Sequence, residues 1–168
     1  MTDQSFERLA RAYGDMVFRV ACHALGNRAD AEDVTQNVLL RLYRAGPDFE
    51  SDDHARRWLL RVAVNESRRA ARSPWRGKTL SLEDYDGPQP PPEDYSDVWS
   101  AVLALPAKYR LCVYLYYYEG CSVRDIAQAL GAKESTVQSR LQRAREKLRD
   151  ILNGEKEGPS HAQLHILS

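Results

Sequence analysis

Apolar residues recur along this chain at the three-to-four spacing of helices, in two blocks separated by a stretch that lacks it. In the first block Phe6, Leu9, Tyr13, Met16, Val17 and Val20 form one stripe, which predicts a helix from about Gln4 to Leu25 ending at Gly26-Asn27. A second helix is expected from about Ala29 to Ala45, stopped by Gly46-Pro47. A third is expected from about Asp52 to Arg72, stopped by Ser73-Pro74. From Ser73 to about Asp94 the chain is rich in Pro, Gly and acid and has no helical period, so it reads as a tether. The second helical block runs from about Tyr95 to Leu152, broken early by Pro106. Residues 153–168 read as a disordered tail. The expected fold is therefore all-α. Two small helical domains, 1–72 and 95–152, are joined by a flexible linker, 73–94, and each is short of core and in need of a partner surface.

The most telling pattern is Ser122–Arg149. Val123, Ile126, Ala127 and Leu130 make one apolar stripe, Ser122 with Asp125 resembles a capping box, and Gly131 stands where a helix ends in the left-handed conformation. After a three-residue turn a second stripe follows, Val137, Leu141, Ala144, Leu148 and Ile151. The opposite face carries Ser135, Ser139, Gln142, Arg143 and Glu146, with Gln138, Arg140, Arg145 and Lys147 on its flanks. That is a helix-turn-helix whose second helix suits the major groove: central polar side chains reach base edges and flanking cations hold phosphates.

Two further helices carry candidate surfaces. In the second, Ala31, Val34, Val38 and Leu42 face inward, while Asp33, Gln36, Asn37 and Leu40 form a mixed stripe. It reads either as a docking face for another helical protein or as a solvated face with one stray leucine. The third turns Trp58, Leu59, Val62 and Ala63 inward. Arg56, Arg57, Arg61, Arg68, Arg69 and Arg72 form a basic stripe around Asn65, either a phosphate track or a plain basic surface.

Charge sharpens this picture. Lys and Arg balance Asp and Glu over the 168 residues, yet residues 98–152 hold nine basic against five acidic side chains, and 73–97 hold two against six. The positive field thus concentrates at the helix-turn-helix. Cys22, Cys112 and Cys121 form no CxxC pair, so neither a disulfide framework nor a metal site is expected, and Cys22 and Cys112 are read as buried thiols. No apolar run is long enough to span a bilayer, and the N-terminus lacks the marks of a signal peptide, which points to the cytoplasm. No catalytic residue and no cofactor is expected, since Asp30, Glu32 and Asp33 make no acid–base or metal cluster. The residues alone leave open a free-standing dimeric helix-turn-helix regulator and, more distantly, a DNA-acting enzyme.

Taken together the segments resemble one family, the extracytoplasmic-function (ECF) group of bacterial RNA polymerase sigma factors. The resemblance rests on DAEDVTQNVLLRLYR, on WLLRVAVNESRR and on the stretch from LPAKYR to REKLR, in that order and spacing. It implies that Asp30, Asp33, Gln36, Asn37 and Leu40 face the β′ clamp helices of core polymerase. It further implies that Asn65, with Arg57, Arg61, Arg68 and Arg69, holds the opened −10 strand. Ser135, Gln138, Ser139, Gln142 and Arg143 would face the −35 duplex, and the region from Tyr109 to Tyr118 the β flap. An anti-sigma protein is implied as a further partner. Gln138, Gln142, Asn37 and Ala55 depart from common family residues. Gln138 stands where Arg or Lys is frequent and Gln142 where some relatives carry an aromatic; fewer cations and more glutamines shift base preference toward adenine, and Ala55 in place of a bulkier residue loosens the contact beside Trp58.

Overall fold

The computed structural model describes residues 1–71 and 96–154, with Ser96 by its backbone alone. All regular structure among them is helical: α1 (Asp3–Leu25), α2 (Arg28–Ala45), α3 (Asp52–Ala70), α4 (Ser96–Leu103), α5 (Ala107–Val113), α6 (Val123–Leu130) and α7 (Glu134–Gly154). A one-turn π-helix, Tyr114–Tyr118, continues α5. The tether, 73–94, and the tail from residue 155 on lie outside the described residues, whereas Asn153 and Gly154, expected in the disordered tail, end α7.

Side-chain caps set the helix starts. Thr2, Asn27, Ser51 and Ser122 each sit in extended backbone and accept from the amide three residues on. Gly131 closes α6 at φ +62°, a left-handed conformation that lets α7 leave at the sharp angle a helix-turn-helix needs. Gly46 has a different reason: a Cβ there would run into the Leu42 carbonyl, so the exit of α2 admits no side chain.

α1, α2 and α3 pack as a three-helix unit around Val17, Val20, Val34, Val38, Leu42, Leu59 and Ala63, all buried. Ala55 is fully buried in this unit. In the second unit Val102, Leu115, Ile126, Val137, Leu141, Ala144 and Leu148 form the core. Leu152 completes the α7 stripe, and Ile151, expected there, is only half-buried. The π-turn is closed by the Glu119 amide donating to the Tyr114 carbonyl at 3.1 Å, one residue further than an α-helix allows. It turns both Tyr114 and Tyr118 inward, their rings stacked with centroids 6.1 Å apart.

The two units share one core, because α1 lies against α5 and the π-turn while α3 lies against α6. The partner surface each short domain needs is thus the other domain. Arginines fasten the seam. Arg19 Nε donates to Tyr114 Oη at 2.7 Å and to Glu119 Oε1 at 3.0 Å, and Arg56 reaches the Glu119 carbonyl at 2.5 Å. Arg68 donates to the Leu130 carbonyl at the end of α6. From the other side Arg110, fully buried, donates to the His23 carbonyl at 2.7 Å. The His23 ring stacks on Tyr114 at 4.0 Å and meets the edge of Trp99 at 5.3 Å.

Candidate nucleic-acid and polymerase interfaces

On α2 the four-residue period that buries Ala31, Val34, Val38 and Leu42 leaves Asp33, Gln36, Asn37 and Leu40 exposed. Leu40 is not a stray residue. It is 48% exposed and borders a shallow, apolar cleft of about 450 Å³ with Phe6, Gln36, Leu39 and Tyr43. Tyr43 is equally exposed and meets Phe6 edge-on at 5.1 Å. Solvent-facing apolar side chains gathered in one place mark a docking face more strongly than one leucine does. The sequence reading missed Phe6 and Tyr43. Tyr43 stands three residues beyond Leu40, so the period carried it; Phe6 arrives from another helix. Asp30 is differently placed: it is only partly exposed, and its carboxylate accepts from Asn27 Nδ2 at 2.5 Å in the α2 cap.

On α3, Arg57, Arg61, Asn65, Arg68 and Arg69 are all exposed, and positions 57, 61, 65 and 68 follow one face. Three of these arginines are partly engaged: Arg57 with Asp53 at 2.7 Å, Arg69 with Glu66 at 3.8 Å and Arg68 with the Leu130 carbonyl. Arg56 leaves the basic stripe for the seam, and Arg72 lies outside the described residues. Arg57 and Arg61 border a narrow cleft whose other wall is Asp125, Gln128 and Ala129 of α6. The first helix of the helix-turn-helix thus runs alongside the stripe, and Arg68 is already spent on its end.

On α7 the buried stripe fixes the outward face. Ser135, Gln138, Ser139, Gln142 and Arg143 are all exposed, so the structure keeps the five candidates together on one accessible surface. Arg145, on the flank, is turned back to Tyr117 Oη at 3.1 Å. Within Tyr109–Tyr118, Tyr109 and Tyr114 are buried and Tyr116 is exposed. Burial, and then the Glu119 carboxylate, push the Tyr114 hydroxyl well above the ordinary phenol range, so it stays protonated and serves the seam. All three cysteines are buried. Among the described residues no helix is long and apolar enough to cross a membrane.

Two family models match this chain, one over each helical unit. They are sigma-70 region 2 over residues 9–77 and sigma-70 region 4 over residues 95–148. The chain is 35% identical over 159 residues to the ECF RNA polymerase sigma factor SigE of Mycolicibacterium smegmatis, a match that covers 88% of this chain and 62% of that protein. It is 30% identical over 154 residues to the ECF sigma factor SigM of Mycobacterium tuberculosis, covering 88% of this chain and 77% of that one. In fold it is similar to the sigma factor RpoE solved in complex with the anti-sigma factor NepR from Bartonella quintana. There the TM-score is 0.65 at 21% identity, over 91% of this chain and 99% of that one. The chain belongs to the ECF RNA polymerase sigma factors, the proteins that direct RNA polymerase to promoters.

Proposed function

We propose that the three exposed surfaces divide the work of promoter-specific initiation among α2, α3 and α7. The apolar cleft with Asp33, Gln36, Asn37 and Leu40 docks on the clamp helices of core polymerase, and Tyr43 and Phe6 belong to the same patch. Asn65 and the arginines of α3 hold a base of the opened −10 strand; extruding a base costs a few kcal/mol, which a fitted pocket recovers only for the right one. Ser135, Gln138, Ser139, Gln142 and Arg143 read the −35 duplex, with the glutamines favouring adenine. Bond formation is left to the polymerase, so the chain acts without catalytic residues or cofactor, in the cytoplasm, and an anti-sigma protein is its regulator.

The observation that carries this reading is the split of α7, whose one face is wholly buried in the second unit while five polar side chains share the other. Two weak sites on one scaffold raise each other's effective concentration, which suits recognition of two separated elements. Since α6 lines the arginine stripe, use of Arg68 on DNA first releases the Leu130 carbonyl.

The test is transcription from host genomic DNA by core polymerase lacking any sigma factor, with start sites sequenced. New starts sharing a −35 and −10 pair are expected. The double variant Asp33→Ala, Leu40→Ala loses core binding by about tenfold or more, in the range of interface anchor residues. Asn65→Ala keeps core binding and loses promoter opening by a similar factor. Normal binding and normal opening in both variants overturn the assignment of this unit.

A further inference from the structure

Beside its outward face α7 carries a second row of side chains, which shares Arg143 with that face. Thr136, Arg140, Arg143 and Lys147 follow one another at helical spacing and look toward the start of α5. Where the two helices meet, Lys108, Tyr109, Ser135, Thr136, Ser139, Arg140 and Arg143 line an open cleft of about 300 Å³. Tyr109 is its floor. The ring is buried, with Lys108 Nζ 4.9 Å and Lys147 Nζ 5.6 Å from its centroid. The Arg143 guanidinium lies against its hydroxyl and, with Lys108, holds the phenol below its ordinary pKa. Three cations, Lys108, Arg143 and Lys147, are thus drawn toward one aromatic ring, and Arg140 lines the cleft beside them.

Among the described residues no carboxylate lines this cleft. In the first unit the pattern is the opposite, since Arg8, Arg28, Arg41 and Arg57 each meet an acid within 3 Å. Like charges brought together without a counter-charge repel, and an anion in the cleft converts that repulsion into attraction. Hydroxyls of Ser135, Thr136 and Ser139 add neutral donors among the cations, a mix suited to a tetrahedral oxyanion. The cleft opens beside Ser139 and Arg143, on the same surface that faces the duplex.

The geometry points to a seat for one backbone phosphate of the duplex, gripped by Lys108 from α5 and Arg140 from α7, with Tyr109 as the platform that positions Lys108 and Arg143. The inference rests on the reading of α7 as the −35 helix and extends it to a residue outside the helix-turn-helix. A phosphate held at this corner fixes the register of α7 in the groove and carries no base information itself.

The test uses the full chain and a short fluorescent duplex of mixed sequence, with affinity measured across a series of salt concentrations. Lys108→Met is expected to lower the slope of log K against log salt by about 0.9, the share of one phosphate contact. Lys108 is exposed, so the variant folds, and Lys108→Arg restores the slope. A wild-type chain that binds the duplex while Lys108→Met keeps the full slope removes the seat and leaves the −35 reading standing. A wild-type chain with no salt-dependent binding removes both. Phosphorus resonance broadening of inorganic phosphate by the wild type, lost in Lys108→Met while the duplex slope stays unmoved, makes this a free-phosphate site and overturns the proposal.

Discussion

Replacing Arg110 by methionine is expected to lower the melting temperature by roughly 5–12 °C, an effect out of proportion to a single side chain. Arg110 is fully buried and donates to three main-chain carbonyls: His23 at 2.7 Å, Leu105 at 2.9 Å and Leu103 at 3.5 Å. His23 lies in the last turn of α1 and Leu103 ends α4, so one cation serves two helix carboxyl ends, where the backbone dipole favours positive charge. Burial lowers its pKa to about 10, which still leaves it charged at neutral pH. Methionine fills much of the volume and donates nothing. Each carbonyl left without a donor costs about 1–3 kcal/mol, partly offset because a guanidinium need no longer be stripped of water. The net loss is about 2–4 kcal/mol. Arg110→Lys recovers little of it, since an ammonium cannot span the three acceptors as a planar fork does. Calorimetry of the two variants decides the matter, and a melting temperature within 2 °C of wild type in both would falsify the role given to Arg110.

The helices, the cap of α6 and the α7 faces were legible because period and cap chemistry are written in consecutive residues. Ser122 accepting from the Asp125 amide at 3.0 Å and the left-handed Gly131 both fall where the pattern puts them. The seam was not legible, for a physical reason. Arg56, Arg68 and Arg110 carry the same letter as the solvent-facing Arg57, Arg61 and Arg69, and their partners are backbone carbonyls, which every residue possesses. Sequence period therefore placed Arg56 in a basic stripe that the structure breaks up. The π-turn that aims Tyr114 and Tyr118 inward together lies outside any helical period. The candidate polymerase face was half legible: Leu40 alone left docking and accident equally open, and only Phe6, brought over from α1, makes a patch of it.

His23 makes the seam sensitive to acid. Its ring is fully buried against Tyr114 and Trp99, and its pKa is held well below the ordinary 6.5 by burial first, then by the charges of Arg110 and Arg19. Glu119 also faces this corner, but its carboxylate is engaged by Arg19 at 3.0 Å and by the Tyr114 hydroxyl. The native ring is therefore neutral where the unfolded one takes a proton. Below pH 6.5 the unfolded state binds more protons than the native state, so this contribution to stability is complete above 6.5 and declines as pH falls. A proton taken up by the unfolded state alone gives a slope of at most about 1.4 kcal/mol per pH unit, so stability falls as pH drops below 6.5, before carboxylates dominate. His23→Phe keeps a ring on Tyr114 and removes the titration. Urea unfolding across that interval is expected to show a steep fall for wild type and a nearly flat line for the variant. Parallel lines would place the proton uptake on another group and remove His23 from the acid response of the seam.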